Sequence, residues 1–413
     1  MRAVKSLLGS EPIRVLYVIT GLGPGGAEMM LRKLVLGHDR KRVSPAIISC
    51  GDLGVHGIAI KAAGIPVWCL NMRRGLLTPT ALMSLAKKIR HFRPHLVQSW
   101  LYHADLVVSL VRLLEPVARE ARWTWNIRCS QAEVGSGWSF LRLLTTILAQ
   151  ISDRPDAVFA NSRAGIVHHG RIGYHPRRWI PLPNGFDCVK FRPDSSAKAG
   201  LCRELNIPGE IEIVTLVARF DPLKDHDTFL SAIARSRVKC PRIHVVMVGS
   251  GITNKNQTLM TKVTQHGLES AVSLLGERED IPSIMAASSV VALSSVAEGF
   301  PNVIGEAMAC GTPCVVTDVG DSLWIVGDTG VVVPPKDSSA LADGIVKLLT
   351  EAQHDRAARG VNCRQRILNL FELHGIVARY EKFYATMFGC GKEMRPGMIA
   401  RTQASRHQRG MVD

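Results

Sequence analysis

Hydrophobic positions in this chain come in two alternating rhythms. The first is a compact apolar run of strand length, as at 13–20 (IRVLYVIT), which ends in the turn Gly21-Leu22-Gly23-Pro24-Gly25-Gly26-Ala27-Glu28. The second follows directly: Met29, Met30, Leu31, Leu34 and Val35 fall at helical spacing. Strand, glycine turn, helix is the opening of a parallel α/β domain, because a parallel strand is buried on both faces and the crossover helix on one. The same alternation predicts strands at 46–49, 66–70, 96–98, 157–160 and 179–182, with helices at 79–92 and 162–172 between some of them.

The rhythm restarts at 211–217 (IEIVTLV), runs through Ala218-Arg219-Phe220-Asp221-Pro222-Leu223-Lys224 and continues as a helix from Asp225. Further strands are predicted at 243–248, 272–275, 290–293 and 312–316. The fold class is therefore α/β, with two doubly wound, Rossmann-like parallel sheets joined by a polar, Pro-containing linker near 185–208. We expect a first domain at 13–190, a second at 191–360, helices at 361–388 that close the body by returning towards the first domain, and a polar, basic, disordered tail at 389–413. Two parallel sheets in tandem place a natural ligand cleft between them, at the carboxyl ends of the strands.

Length and composition agree with this division. A chain of 413 residues suggests two or three domains, and 46% hydrophobic with 21% charged residues is ordinary globular composition. The best candidates for membrane helices, 106–114 and 143–151, fall short of the roughly 18–20 apolar residues needed to span a bilayer. The first dozen residues lack the apolar core of a signal peptide, so the expected location is the cytoplasm. The ten cysteines form no CxxC pair or Cys/His cluster, which reads as reduced thiols used as small hydrophobes.

Charge changes the picture more. The net charge is +16, and residues 1–190 hold 26 Lys and Arg against 11 Asp and Glu, whereas residues 191–413 hold 25 against 24. A basic half beside a neutral half suggests an anionic surface or polyanionic partner. Clusters at Arg40-Lys41-Arg42, Arg73-Arg74, Lys87-Lys88-Arg90-Arg93 and Arg177-Arg178 lie in the same half as the apolar helices at 106–114 and 139–151. That combination fits peripheral attachment to the inner face of a membrane, or a lipid-phosphate acceptor, better than nucleic acid.

The densest chemistry lies at 294–320 (SSVAEGFPNVIGEAMACGTPCVVTDVG). A strand runs into a polar turn, and Gly299-Phe300-Pro301-Asn302 opens a helix, with Pro301 expected at its first position. Free N–H groups and the helix dipole there suit a phosphate or an anionic leaving group. Glu298 stands just before this helix and Glu306 inside it.

Glu298-x7-Glu306 with the intervening GFPNVIG resembles the signature of the retaining glycosyltransferases of family 4, which have the GT-B fold of two facing doubly wound domains. The resemblance extends over roughly 13–385. It implies that Glu306 binds the ribose of a nucleotide-diphosphate-sugar, that Glu298 contacts the donor sugar, and that the backbone of Gly299, Phe300, Pro301 and Asn302 contacts the sugar or its phosphate. The stretch 217–226 resembles the family's Arg…Lys pair, so Arg219 and Lys224 would straddle the diphosphate and neutralise the charge that grows as it leaves. Val248-Gly249-Ser250-Gly251 and Leu275-Gly276-Glu277-Arg278 resemble turns that line the base pocket, which points to Gly249 and Arg278. In the first domain, Gly25 and Gly26 resemble the loop that faces the diphosphate, and Trp100-Leu101-Tyr102-His103-Ala104-Asp105 resembles the segment carrying the cleft histidine, His103. Asn161-Ser162 and Asn184-Gly185-Phe186-Asp187 match turns expected to act as a helix cap and a hinge.

The expected reaction is glycosyl transfer with retention of configuration, with no enzyme nucleophile and no cofactor. No Asp-x-Asp pair suggests a metal-bound diphosphate. Expected partners are the nucleotide sugar, a lipid-linked or other glycan acceptor and an anionic membrane surface. A sugar-nucleotide epimerase of the same fold should carry acid/base residues of its own, and none can be pointed to. A non-catalytic binding protein is disfavoured by the complete Arg219, Lys224, Glu298 and Glu306 set. A nicotinamide enzyme is disfavoured by the glycine spacing and by the lack of an acidic residue after a second strand.

Overall fold

The computed structural model describes residues 11–72, 78–128 and 138–389. Arg73, Arg74 and the basic tail from Cys390 lie outside the described residues. The first sheet has seven strands: β1 (Ile13–Ile19), β2 (Val43–Ser49), β3 (Val67–Cys69), β4 (Leu96–Trp100), β5 (Arg122–Ile127), β6 (Ala157–Ala160) and β7 (Trp179–Pro181). They pair in parallel in the order β3-β2-β1-β4-β5-β6-β7. The second sheet has six: β8 (Glu212–Val217), β9 (Ile243–Val248), β10 (Val272–Leu274), β11 (Val290–Leu293), β12 (Cys314–Thr317) and β13 (Val331–Val333), parallel in the order β10-β9-β8-β11-β12-β13.

Helices fill the crossovers. In the first domain they are α1 (Gly26–Gly37), α2 (Gly54–Ala62), α3 (Pro79–Phe92), α4 (Tyr102–Leu114), α5 (Pro116–Glu120), α6 (Trp138–Gln150) and α7 (Arg163–Arg171). Next come α8 (Ala197–Leu205), α9 (His226–Lys239), α10 (Gln257–Gln265), α11 (Ile281–Ala287), α12 (Asn302–Ala309), α13 (Ser322–Val326) and α14 (Ser338–Thr350). The last two are α15 (Gln353–Leu370) and α16 (Leu373–Met387).

In each sheet the chain reverses its winding direction once, between β1 and β4 and between β8 and β11. Loops that leave adjacent strands towards opposite faces open a crevice at that point, outside the carboxyl ends. The topology therefore fixes two crevices, flanked by the loops after β1, β4, β8 and β11.

The closing helices divide differently from expectation. Helical structure was expected to return to the first domain from residue 361. Instead Cys363, Ile367 and Phe371 are buried in the second domain's core against Ile304, Met308 and Ile325. Only α16 crosses, seating Ile376, Val377, Tyr380, Phe383 and Tyr384 among Tyr17, Leu34 and Phe159. The reason is a break in the helix: Phe371 and Glu372 leave helical geometry, and Glu372 caps α16 through Gly375 N–H at 2.8 Å. The two strands missing from the sequence reading are β5 and β13. β5 alternates Trp and polar residues, and β13 is a three-residue edge strand.

The chain crosses between domains twice, and the crossings are stitched together. Phe186 N–H donates to Phe371 O at 2.8 Å and Leu373 N–H to Phe186 O at 3.0 Å. Gly185 and Gly305 allow the close fit: a Cβ on Gly185 would lie 2.8 Å from Leu373, and one on Gly305 only 2.1 Å from the Phe186 ring.

Candidate active site

The second-domain wall starts at the loop after β8. Asp221 accepts from Leu223 N–H at 2.9 Å and from Arg219 Nε at 2.9 Å, shaping a short 3-10 turn over Pro222–Lys224. Asp225 then takes up a left-handed conformation (φ 46°) and caps α9 through Thr228. This turn aims Lys224 at the loop after β11: its Nζ lies 2.5 Å from Glu298 Oε1, which also accepts from Ser295 Oγ at 2.7 Å. Both side chains are largely covered, at 21% and 12% exposure, so the pair is worth more than a surface ion pair. The Arg219 side chain, by contrast, is 54% exposed beside Asp221.

Gly249 explains how the loops after β8 and β9 fit. At φ 144° its missing Cβ would fall 2.2 Å from Ala218 O, so only glycine lets the two turns stack. Gly249 N–H in turn donates to Gly276 O at 2.7 Å. Gly249 thus supports the Arg219 turn.

Arg278 is engaged within its own domain. Its guanidinium forms two bonds to Asp280 (2.7 Å each) and two to Glu204 (2.5 and 3.2 Å), tying the loop after β10 to α8. That bidentate pairing raises its basicity and occupies the fork expected to face a nucleotide base. Pro301 is also displaced by one position: it is the extended cap before α12 (ψ 104°), and Asn302 opens the helix. Phe300 contributes only backbone to the cleft, because its ring is buried against Phe186, Phe371 and Trp324.

Glu306 lies one turn into α12 and faces the first domain. Burial raises its pKa, opposed by the positive charges of Lys33 and Lys190. Lys33, on α1, is lowered by burial and held up by Glu306 and Asp187. Among the described residues no side chain hydrogen-bonds to Glu306, so its oxygens remain available to a ligand such as a ribose diol.

The first-domain wall is the loop after β1. Gly25 is extended and begins α1 without a side-chain cap, and a Cβ on it would overlap the Glu28 carboxylate. Burial raises the Glu28 pKa against the pull of its own backbone N–H and of Arg128. A Cβ on Gly26 would reach 3.7 Å from Asn302 Nδ2, so the glycine loop lies directly opposite the start of α12. Asn184 bridges the same gap, donating to Asn302 Oδ1 at 2.7 Å and accepting from Arg128 Nη2. Arg128 stacks over Trp100 at 4.6 Å.

His103 stands in the first turn of α4, after Leu101, which holds a left-handed φ of 72°. Burial lowers the His103 pKa, and the ring stacks on Phe140 of α6 at 5.9 Å. Described contacts join it to α6 rather than to the second domain. Ser162 caps α7 as expected, accepting from Gly165 N–H at 2.9 Å, and in addition donates to Gly299 O at 3.2 Å.

Sequence reasoning missed Lys33, Arg128 and Asp321. For Lys33 a signal existed: it lies seven residues after Gly26, two turns along the same helix face. Arg128 and Asp321 act through partners far away in sequence, and nothing local marks them.

Two facing doubly wound domains, with a cation–carboxylate pair on one wall, a glycine loop on the other and a half-buried carboxylate between them, define a GT-B glycosyltransferase. Comparison with known proteins agrees. Residues 212–351 match the family "Glycosyl transferases group 1" and residues 24–190 match "Glycosyltransferase Family 4". EpsF of Bacillus subtilis is 25% identical over 313 residues, covering 75% of this chain and 80% of EpsF. The UDP-Gal:alpha-D-GlcNAc-diphosphoundecaprenol alpha-1,3-galactosyltransferase of Escherichia coli is 29% identical over 219 residues, 51% of this chain and 55% of that protein. This chain therefore matches about half the length of that relative. Among solved structures, Anabaena HepE in complex with UDP covers 91% of this chain with all of its own, at 23% identity and a TM-score of 0.79. The chain belongs to the family 4 glycosyltransferases, and it is an enzyme that transfers a sugar from a nucleotide-diphosphate-sugar.

Proposed function

We propose that the enzyme acts on a lipid-linked glycan at an anionic membrane surface, with retention of configuration and without a metal ion. The observation that carries the acceptor reading is the surface of α6. Phe140, Leu143 and Ile147 are exposed there at positions that share one helix face, beside the exposed Arg142. The same Phe140 stacks on His103, so the apolar stripe reaches the expected acceptor side of the cleft. Leu113 and Leu114 add exposed apolar surface at the end of α4, against which α6 packs. An apolar helix face in a basic domain suits shallow insertion beneath lipid headgroups, helped by about 1 kcal/mol per cation near an anionic surface. The E. coli relative's name specifies a lipid-diphosphate acceptor, which agrees. Among the described residues no helix is long and apolar enough to cross a membrane.

Not every basic cluster serves this reading. Lys88 lies over the Trp68 ring at 5.4 Å and Arg90 pairs with Glu115 at 3.4 Å, so part of the 87–93 cluster is used internally. Retention follows from a site in which Lys224, Arg219 and the α12 N-terminus stabilise the departing diphosphate on the face that the acceptor also approaches. The leaving group itself then takes the acceptor's proton, and no enzyme nucleophile is required.

The test has two arms. Purified protein is incubated with radiolabelled UDP- and GDP-sugars and a lipid extract. The expected result is label in a butanol-soluble product whose new linkage keeps the donor's anomeric configuration by NMR; transfer only to free sugars refutes the acceptor reading. Separately, wild type should sediment with anionic but not neutral vesicles, less so as salt rises, and Phe140→Ser with Leu143→Ser and Ile147→Ser should abolish most of that binding. Wild type that ignores anionic vesicles at low salt refutes the membrane reading.

A further inference from the structure

Asp321 belongs to the second domain, at the cap of α13, yet its carboxylate is seated on the first domain. Its oxygens accept from Arg163 N–H at 2.7 Å and Ala164 N–H at 2.9 Å, the open N–H groups at the start of α7. Only 3% of the residue is exposed. An anion at a helix N-terminus gains from the dipole as well as from the two bonds, and burial away from water makes both stronger. Arg163 adds a second grip, its guanidinium 4.0 Å over the ring of Trp324, three residues past Asp321.

What this grip holds is the turn after Glu298. Asp321 N–H donates to Gly299 O at 3.0 Å, and Ser162 Oγ from the first domain donates to the same oxygen at 3.2 Å. Gly320 presses in from the same side: at φ 58° its missing Cβ would lie 2.5 Å from Glu298 O and 2.6 Å from Gly299 O. One carbonyl of the turn expected to bind the donor sugar is thus pinned from both domains, and the residue that pins it from one is the residue that clasps the other.

We propose that Asp321 is a positioning residue for sugar transfer, a latch that fastens the second domain to the N-terminus of α7 and so sets the Glu298–Gly299 turn when the cleft is closed. An open cleft leaves the Gly299 carbonyl held by its own domain alone, and Glu298 then meets the donor in a looser arrangement. The latch uses backbone N–H groups of the first domain, so within α7 only proline at 163 or 164 removes its donors.

Hydrogen exchange and solution scattering test this without a substrate, so they judge the latch even where the transfer assay fails. Asp321→Ala should speed exchange of the Arg163 and Ala164 amides and also of the 296–304 segment, each at least tenfold, and should enlarge the radius of gyration. Asp321→Asn keeps one acceptor oxygen and should restore part of both; it carries the test alone if Asp321→Ala does not fold. With whichever of the UDP- and GDP-sugars the transfer assay consumes, Asp321→Ala should lower kcat at least tenfold with donor KM within threefold. Faster exchange confined to α7, with the 296–304 segment and the scattering curve as in wild type, would mean that Asp321 is a helix cap only, and the proposal falls. Wild-type kcat in a folded Asp321→Ala overturns it equally.

Discussion

The loops after β1 and β11 flank the crevices of their two sheets, and both lead straight into a helix, yet they are built for opposite purposes. After β1 the chain offers Gly23, Gly25 and Gly26, a wall with almost no side chain facing Asn302. After β11 it offers Ser295 and Glu298 clasped by Lys224, a wall dense in charge. One loop contributes space and backbone, the other polar groups in fixed positions. The difference teaches where substitutions should hurt: chemistry should fail on the charged wall, and fit should fail where bare backbone meets a ring or a helix.

The largest effect should come from the charged wall. Lys224→Ala breaks the ion pair with Glu298 and removes the cation expected at the departing diphosphate; kcat should fall about a hundredfold or more. Arg219→Ala should lower kcat similarly if Arg219 serves the diphosphate as proposed. EDTA should leave wild-type rates within about twofold, and a loss restored by magnesium or manganese would contradict the proposed metal-free mechanism. Next, Glu306→Ala removes the acceptor expected for a ribose diol and should weaken nucleotide binding by about tenfold or more, at roughly 1.5–3 kcal/mol for charged hydrogen bonds. Calorimetry with UDP and GDP reads this, and unchanged affinity for both would break the assignment.

A bare-backbone position should act on stability instead. Gly305→Ala drives a methyl into the Phe186 ring and should cost about 1–3 kcal/mol, seen as a lower melting temperature. The smallest effect concerns pH. His169 in the first domain and His226 in the second are each held at a pKa of about 4, by burial above all. Below about pH 6.5 the unfolded chain takes up protons that these rings refuse, so stability falls as pH drops from 6.5 towards 4. At pH 5.5 each ring should cost about 1.4 kcal/mol relative to pH 7.5. His169→Gln should flatten the pH dependence of urea unfolding by that amount. An unchanged slope would show that the ring protonates in the folded state.

The sequence was most legible where structure is local. Strands at 157–160, 243–248 and 290–293 appear at the predicted residues, because runs buried on both faces carry their own signal. The Glu298 and Lys224 turns were legible because each is set by a few consecutive residues. The reading was silent where partners come from afar. The Arg278 fork could not be known to meet Glu204, 74 residues back, and Asp321 meets α7 across 157 residues or more. The 361–370 part of α15 was expected to return to the first domain but packs in the second, because periodicity reports which face is apolar, not which core receives it.

The return of α16 has a consequence for how the molecule is made. Phe159 stacks on Tyr380 at 5.4 Å and meets Phe383 edge-on at 4.9 Å, so the first domain's sheet is covered on that face by residues more than 200 positions later. A ribosome delivers the N-terminal strands long before α16 emerges. Until then Tyr17, Phe159 and their neighbours stay uncovered, and the first domain waits, incomplete, for the second to be synthesised. Assembly order is thereby written into the topology: the first sheet made is the last to be sealed.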